Sequence, residues 1–444
     1  MSSKTINFFK GHPTSDLLPS LEILEATTNV LKAADAEPFK YDNDTENRSP
    51  LQYGSDLGNL DIRQIIANWI NIGFNINNTN YQVKPEYLNL TAGASYGIMN
   101  ALAQTTSPHN DITRQAFIIT PTYYLINGSF IDAGFGGKLT AIDEFDNGQL
   151  DLNLLESKLK YFDSLKPIEK ITKLELESIN DPNRIFKKIY RYVIYIIPSF
   201  SNPKGGSLNK ENRLKLIELA RKYDMLIISD DVYELLDYTV PYDIKPSPTQ
   251  RFTMLDRQTL SKENKLQNYG NTLSNGTFSK LICPGLRTGW QETATDKLSF
   301  QLSQGGSNKS GGTPAQLNTF IVAELIKSGL LDKIISNLRM TYSERSTIIK
   351  KAIIKYLPKG TMINGGSGGY FLWVTLPDSY DCRKIVTKCK ERNVILANGD
   401  NFEVTGDHRN WGASSVRLSI SYLTKEDIEE GIKIWGEVCR EYSL

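Results

Sequence analysis

The segment GTFSKLICPGLRTGW (Gly276–Trp290) isolates one lysine, Lys280, and one arginine, Arg287, among small and apolar residues. An ammonium group in apolar surroundings loses hydration, so its pKa falls. The neutral amine that results is the form that condenses with carbonyls to give imines. A solvated lysine on a surface loop is the plainer reading of the same residues.

Other candidates follow short apolar runs. SDDVY (229–233) follows MLII and offers two adjacent carboxylates, Asp230 and Asp231. Neighbouring strand residues point to opposite faces, so one of the two faces any cleft. A helix cap or a metal site are the other readings. The chain's three histidines, His12, His109 and His408, lie far from this run, which argues against a metal. PSFSNPKGG (198–206) follows YVIYII, and Asn202, held out of helical geometry by Pro203, can present its amide. Alone, the Asn-Pro pair is also a simple turn. TAGASYG (91–97) places Gly93, Ala94 and Ser95 at an expected helix start, where free N–H groups and the helix dipole attract anions. It matches neither the Walker pattern nor GxGxxG, and a tight turn explains it equally well. PTYY (121–124) follows AFIIT; its tyrosines suit either stacking on a planar ligand or core packing.

These residues need elements to hold them. AFIIT (116–120), YVIYII (192–197) and MLIIS (225–229) read as strands buried on both faces, as in a parallel sheet. NKENRLKLIELARKYD (209–224) reads as a helix with Leu214, Ile217, Leu219 and Ala220 inward, and 93–106 as another. Alternating strands and helices indicate an α/β domain. Toward the C-terminus, Gly368–Leu376 and Ser414–Ser421 alternate as half-buried strands, which points to a smaller α+β domain. In the second strand, Val416, Leu418 and Ile420 share one face; Arg417, Ser419 and Ser421 share the other. Two polar segments, about 158–190 and 241–274, interrupt the pattern; the second reads as a loop-like surface insertion.

The chain has 444 residues, with 51 Lys+Arg against 50 Asp+Glu, a formal net charge of +1. That balance argues against nucleic acid or a membrane surface as partner. Four cysteines without a CxxC pair make no disulfide framework. No signal peptide or membrane-length apolar run is evident, so the cytoplasm is the expected location.

Taken together, the order and spacing of these motifs resemble the fold-type I, pyridoxal-phosphate-dependent aminotransferases of class I/II. The likeness is greatest to the 2-aminoadipate/aromatic branch, which also forms the enzyme-like domain of MocR-type regulators. It runs from INFFKGHP (6–13) through QYGSDLGNLDIR (52–63), TAGASYG, PTYY, PSFSNPKGGSLNKENR, SDDVYELL and the lysine segment to GGYFLWVTLP and VRLSIS.

The resemblance implies a large domain with a mostly parallel, mixed seven-stranded sheet (49–325) and a smaller α+β domain (326–444). An N-terminal segment (1–48) would help close the site. It implies pyridoxal 5′-phosphate bound through an imine to Lys280, with Lys280 then serving as general acid and base. Asp230 would pair with the pyridine nitrogen, while Tyr233 and Asn202 would hydrogen-bond the ring's phenolate oxygen. Tyr123 would stack on the ring, with Tyr124 as the alternative. Gly93, Ala94, Ser95, Thr277, Ser279 and Arg287 would hold the phosphate. Tyr53 would reach it from the second subunit of a homodimer. Arg417 would clamp the substrate carboxylate, and Gly11 would let the N-terminal segment close over it. The implied reaction moves an amino group between an amino acid, 2-aminoadipate or aromatic, and a 2-oxo acid, 2-oxoglutarate being expected. The alternatives are a carbon–sulfur β-lyase and a non-enzymatic ligand-sensing module. The MocR regulators carry an N-terminal helix-turn-helix region, and the resemblance here begins within the first ten residues.

Overall fold

The structure is a computed structural model that describes residues 4–37, 40, 44, 48–165, 187–261 and 268–442. A two-residue strand, β1 (Ile6–Asn7), precedes helices α1 (Ser20–Ala36) and α2 (Leu60–Gly73). Seven strands then build the central sheet: β2 (Leu88–Thr91), β3 (Gln115–Thr120), β4 (Leu139–Asp143), β5 (Tyr192–Ile196), β6 (Met225–Asp231), β7 (Thr272–Thr277) and β8 (Gly289–Thr293). Their order is β2-β8-β7-β6-β5-β3-β4. Only β8 runs against its neighbours; the five strands from β7 to β4 are parallel. Strands β3, β5 and β6 are buried along their whole length, as continuous apolar runs require. Their C-terminal ends share one edge of the sheet, where open α/β sheets place ligands.

Helix α3 (Ala94–Thr105) follows β2 directly. Gly276 on β7 sits opposite Trp290 on β8; a Cβ there would lie 2.2 Å from the indole. This contact explains why the lysine segment opens on glycine and closes on tryptophan.

A second, antiparallel sheet has the order β12-β13-β10-β9, with β9 at Met362–Gly365, β10 at Phe371–Thr375, β12 at Ala397–Asn398 and β13 at Ser415–Ser419. The short strand β11 (Val394–Ile395) pairs in parallel with β1, so the chain's first strand is tied to its last hundred residues. Among the described residues no helix is long and apolar enough to cross a membrane.

Three sequence expectations need correction. Strands β10 and β13 are buried on both faces, not half-buried; on the polar face of β13, Arg417 lines the site described below and Ser419 is fully covered. In the helix Lys210–Lys222 the buried positions are Arg213, Leu216, Ile217 and Ala220; Leu214 and Leu219 are only partly covered. Arg213 takes an inward place because its guanidinium donates to Pro198 O and Ser199 Oγ, in the loop after β5. The segment 241–274 is not a surface loop throughout. It contains a helix, Phe252–Thr259, with its first six residues buried, and ends in β7. Residues 262–267 lie outside the described residues. Of the other polar segment, 158–164 completes the helix Leu152–Ser164, and 166–186 lies outside the described residues.

The anchor of that helix is Arg251. It is 1% exposed and pairs with Glu234 and Glu292; Arg257 also holds Glu292, at 2.6 Å. Removing one partner strands the other charges in the interior. Arg251→Met should therefore lower stability by about 3–5 kcal/mol. A denaturant midpoint unchanged from the parent protein would contradict this.

Candidate active site

The loops leaving β3, β5, β6 and β7 converge with the N-terminal segment and β13 on one cavity of about 430 Å³. Its walls include Lys280, Asp230, Tyr233, Asn202, Tyr123, Arg287 and Arg417.

Lys280 lies in the turn after β7. Its Nζ donates to the Gly11 carbonyl at 3.3 Å and sits 5.3 Å from the Tyr370 ring centroid. Burial pulls its pKa down to about 8, with Arg417 and Arg287 adding to the effect and Asp230 opposing it. The free amine is therefore well populated just above neutral pH.

Strand β6 runs two residues further than the apolar run suggests, so both aspartates are strand residues and face apart. Asp230 enters the cavity. It accepts from Tyr195 Oη at 2.8 Å and from Asn275 Nδ2 at 2.9 Å. Burial raises its pKa to about 6, while these two hydrogen bonds and Lys280 favour its charged form. Asp231 points away and accepts from Ser229 and Ser274.

The anion cradle is formed by three pieces of chain: the start of α3, Thr277–Ser279 and Arg287. Gly93, with φ +85°, caps α3 without a side-chain hydrogen bond. A Cβ on it would lie 2.8 Å from Arg287 Nη2, so only glycine admits the guanidinium there. Arg287 itself has φ +48°, a strained value for a non-glycine residue. It donates to Ser279 Oγ at 3.2 Å and to Ala92 O at 3.3 Å. Thr277 Oγ1 lies 3.0 Å from Ser279 Oγ. Backbone N–H groups of α3, two hydroxyls and a guanidinium fit a phosphate, and strain held at a site is a signature of function.

Arg417 lies across the cavity. Nη1 donates to Asn202 Oδ1 at 3.0 Å and Nη2 to the Phe9 carbonyl at 2.6 Å. The guanidinium lies 4.2 Å from the Phe371 ring, 4.7 Å from Phe402 and 5.4 Å from Phe9. Its Nε is buried with no hydrogen-bond partner among the described residues. Burial lowers its pKa to about 10. An aromatic cage with an unspent N–H suits a bidentate carboxylate. Arg417→Lys keeps the charge and loses the fork. We expect affinity for a small carboxylate ligand to fall about 10- to 100-fold. An affinity like that of the parent in a binding titration would contradict this.

Tyr233 is buried against Tyr370 and Phe371, with ring centroids 5.4 and 6.1 Å away. Burial pushes its hydroxyl well above the usual range. Tyr123 lines the cavity with its pKa raised to about 12 by burial. Tyr124 stands beside it, edge-on to Phe9 and Phe402. Gly11, Ala94, Ser95, Thr277 and Ser279 also line the cavity. Tyr53 does not: it is 76% exposed, in a separate depression with Tyr96 and the stretch 311–316. Within one chain it has no part in the site.

The sequence reading passed over Tyr195, Asn275 and Tyr370. Tyr195 is one of two hydroxyls in the otherwise apolar strand β5, and Asn275 a lone amide inside TLSNGT; a polar atom on a doubly buried strand needs a partner. That was the available signal.

With this geometry in hand, the comparison with known proteins is direct. The chain belongs to the aminotransferase class I and II family, whose profile matches residues 21–434. An uncharacterized protein of Saccharomyces cerevisiae is 50% identical over 100% of this chain and 99% of that one. Aromatic-amino-acid aminotransferase 1 of Thermococcus litoralis is 26% identical over 99% of this chain and 89% of that one. Among solved structures, the α-aminoadipate aminotransferase LysN of Thermus thermophilus, complexed with N-(5′-phosphopyridoxyl)-L-leucine, shares the fold. Its TM-score is 0.72 at 22% identity, over 98% of this chain and 92% of that one. The architecture is fold type I of the pyridoxal-phosphate enzymes.

Proposed function

We propose that this chain is a pyridoxal-5′-phosphate-dependent transaminase that moves an amino group from an amino acid to a 2-oxo acid. One observation carries the reading: Lys280, Asp230 and Arg417 face one cavity beside a built anion cradle. Bound there, the cofactor would supply an aldehyde that can capture an amine and a ring that can take up the electron pair of a broken Cα–H bond.

The chain's own groups do the rest. Ala94 and Ser95 N–H, Thr277, Ser279 and Arg287 hold the phosphate. Asp230 keeps a proton on the pyridine nitrogen, oriented by Tyr195 and Asn275. Tyr233 and Asn202 hydrogen-bond the phenolate oxygen, and Tyr123 covers the ring. Lys280 would hold the aldehyde end of the cofactor, and its amine is placed to carry the proton away from substrate Cα. Arg417 fixes the α-carboxylate, which points the Cα–H bond at Lys280.

The remaining wall is mostly apolar and aromatic, with Phe9, Tyr124, Leu125, Ile126 and Phe371; Lys10 and Ser129 also line it. The predominance of aromatic side chains favours an aromatic donor, with 2-oxoglutarate as acceptor, while Lys10 is the cation that would serve the second carboxylate of 2-aminoadipate. Tyr53 on an exposed surface suits a homodimer in which it serves the partner's phosphate.

The test is a half-reaction. Single amino acids are added to the loaded protein, and the absorbance of the lysine-bound cofactor is followed into the pyridoxamine form. Conversion by phenylalanine, tyrosine or kynurenine supports the aromatic reading. Conversion by 2-aminoadipate alone replaces that substrate. Pyruvate released from cysteine-type substrates without conversion would overturn transamination in favour of β-elimination.

A further inference from the structure

Behind the Asn202 loop lies a buried carboxylate that the proposed mechanism does not use. Glu144 follows β4 and is 8% exposed. Its Oε2 accepts from Ser201 Oγ at 3.3 Å. Its Oε1 lies against Gly206 and has no hydrogen-bond partner among the described residues. Its backbone carbonyl accepts from Lys204 Nζ at 2.8 Å. The turn between Ser201 and Gly206 is closed by Ser201 N to Gly206 O at 2.9 Å and Gly205 N to Ser201 O at 2.7 Å. The residue this turn presents is Asn202, whose Oδ1 accepts from Arg417.

We infer that Glu144 is a positioning residue for carboxylate binding: through Ser201 it fixes the turn that presents Asn202, and through Asn202 the aim of Arg417. The inference rests on the transaminase reading.

The charged groups facing Glu144 are few. Lys204 is 4% exposed and reaches Asp146 at 3.1 Å. The adjacent Asp143 is taken by Arg409 at 3.0 Å. Burial raises the Glu144 pKa to about 7, against the pull of Lys204 and Ser201. The ionised carboxylate accepts a hydroxyl more strongly than the neutral acid does. The link therefore tightens as pH rises through about 7, and carboxylate affinity rises with it.

The experiment uses the cofactor-loaded protein, 3-phenylpropanoate as an unreactive carboxylate probe read by tryptophan fluorescence, and an aromatic amino acid as substrate. In the parent, probe affinity should rise about fivefold between about pH 6 and pH 8. Glu144→Gln still accepts from Ser201 but cannot ionise, so its probe affinity should stay flat across that range. Glu144→Ala should weaken probe binding and raise KM about fivefold at the upper pH, with kcat little changed. Ser201→Ala, which breaks the same link from the other side, should match it and replaces Glu144→Ala if that variant does not fold.

A Glu144→Gln variant that keeps the parent's pH dependence overturns the inference. So do Ala variants with the parent's KM. A parent that does not transaminate overturns the functional reading instead.

Discussion

Replacing Lys280 by methionine should abolish turnover and, in the cofactor-free protein, raise stability at neutral pH. The first effect follows from losing both the anchoring amine and the proton carrier. General acid–base action alone accounts for about 10²–10⁴-fold, so a loss of about 10⁴-fold or more is expected. The second effect follows from burial. The folded protein holds the Lys280 pKa near 8, against 10.5 for the ordinary side chain. Below about pH 8 the ammonium is carried in both states, and the folded state bears the full desolvation cost. Between about 8 and 10.5 the folded state has released the proton and the unfolded chain has not, so the cost fades as pH rises. The difference is on the order of 3 kcal/mol, reduced because the side chain is only partly shielded from solvent. Lys280→Met should therefore gain melting temperature at pH 7 and much less near pH 10. Transamination retained by the variant, or a gain independent of pH, would contradict the assignment. A site destabilised for its task is an ordinary bargain between stability and activity.

Asp230→Asn should cut kcat/KM by about 10²–10⁴-fold and loosen cofactor binding. Removing one member of a buried ion pair is worth about 3–5 kcal/mol. The amide is close in shape, yet it cannot accept on both arms. Tyr195 and Asn275 both donate to Asp230, so one of them would meet an NH₂ group instead. The check is single-turnover kinetics together with the cofactor dissociation constant. Activity within tenfold of the parent would show that the ring nitrogen does not depend on this carboxylate.

How much of this was legible in the sequence varies by residue. Lys280, Asp230, Asn202 and Arg287 stand at the ends of strands or in the turns just after them, where local composition announces both the strand and the break. Arg417 alternates along a strand whose pattern looks amphipathic. Alternation cannot say whether the polar face meets water or a polar cavity, and here it meets the cavity. The segment 241–274 misled because its tripeptide composition is polar. The helix Phe252–Thr259 is buried because Phe252, Met254 and Leu255 enter the core and Arg251 finds Glu234 and Glu292, which lie 17 and 41 residues away. Long-range pairing leaves no local trace. Tyr195, Asn275 and Glu144 escape notice for the same reason: the first two meet Asp230 on another strand, and Glu144 meets Ser201 in the turn after β5.

One detail of the N-terminal segment bears on selectivity. Phe9 O already occupies Arg417 Nη2, and Gly11 O occupies Lys280 Nζ. These two of the site's cations are thus held by the protein's own carbonyls. An arriving carboxylate finds Arg417 Nε unspent, but at Nη2 it trades places with a peptide oxygen. Such an exchange conserves hydrogen bonds, so its yield is the difference between two acceptors and not the strength of either. A ligand without a carboxylate has nothing to offer in the trade, so Phe9 O stays on Arg417 and the ligand gains nothing there. Discrimination against amines that are not amino acids is in this way charged to the incumbent, not to the newcomer.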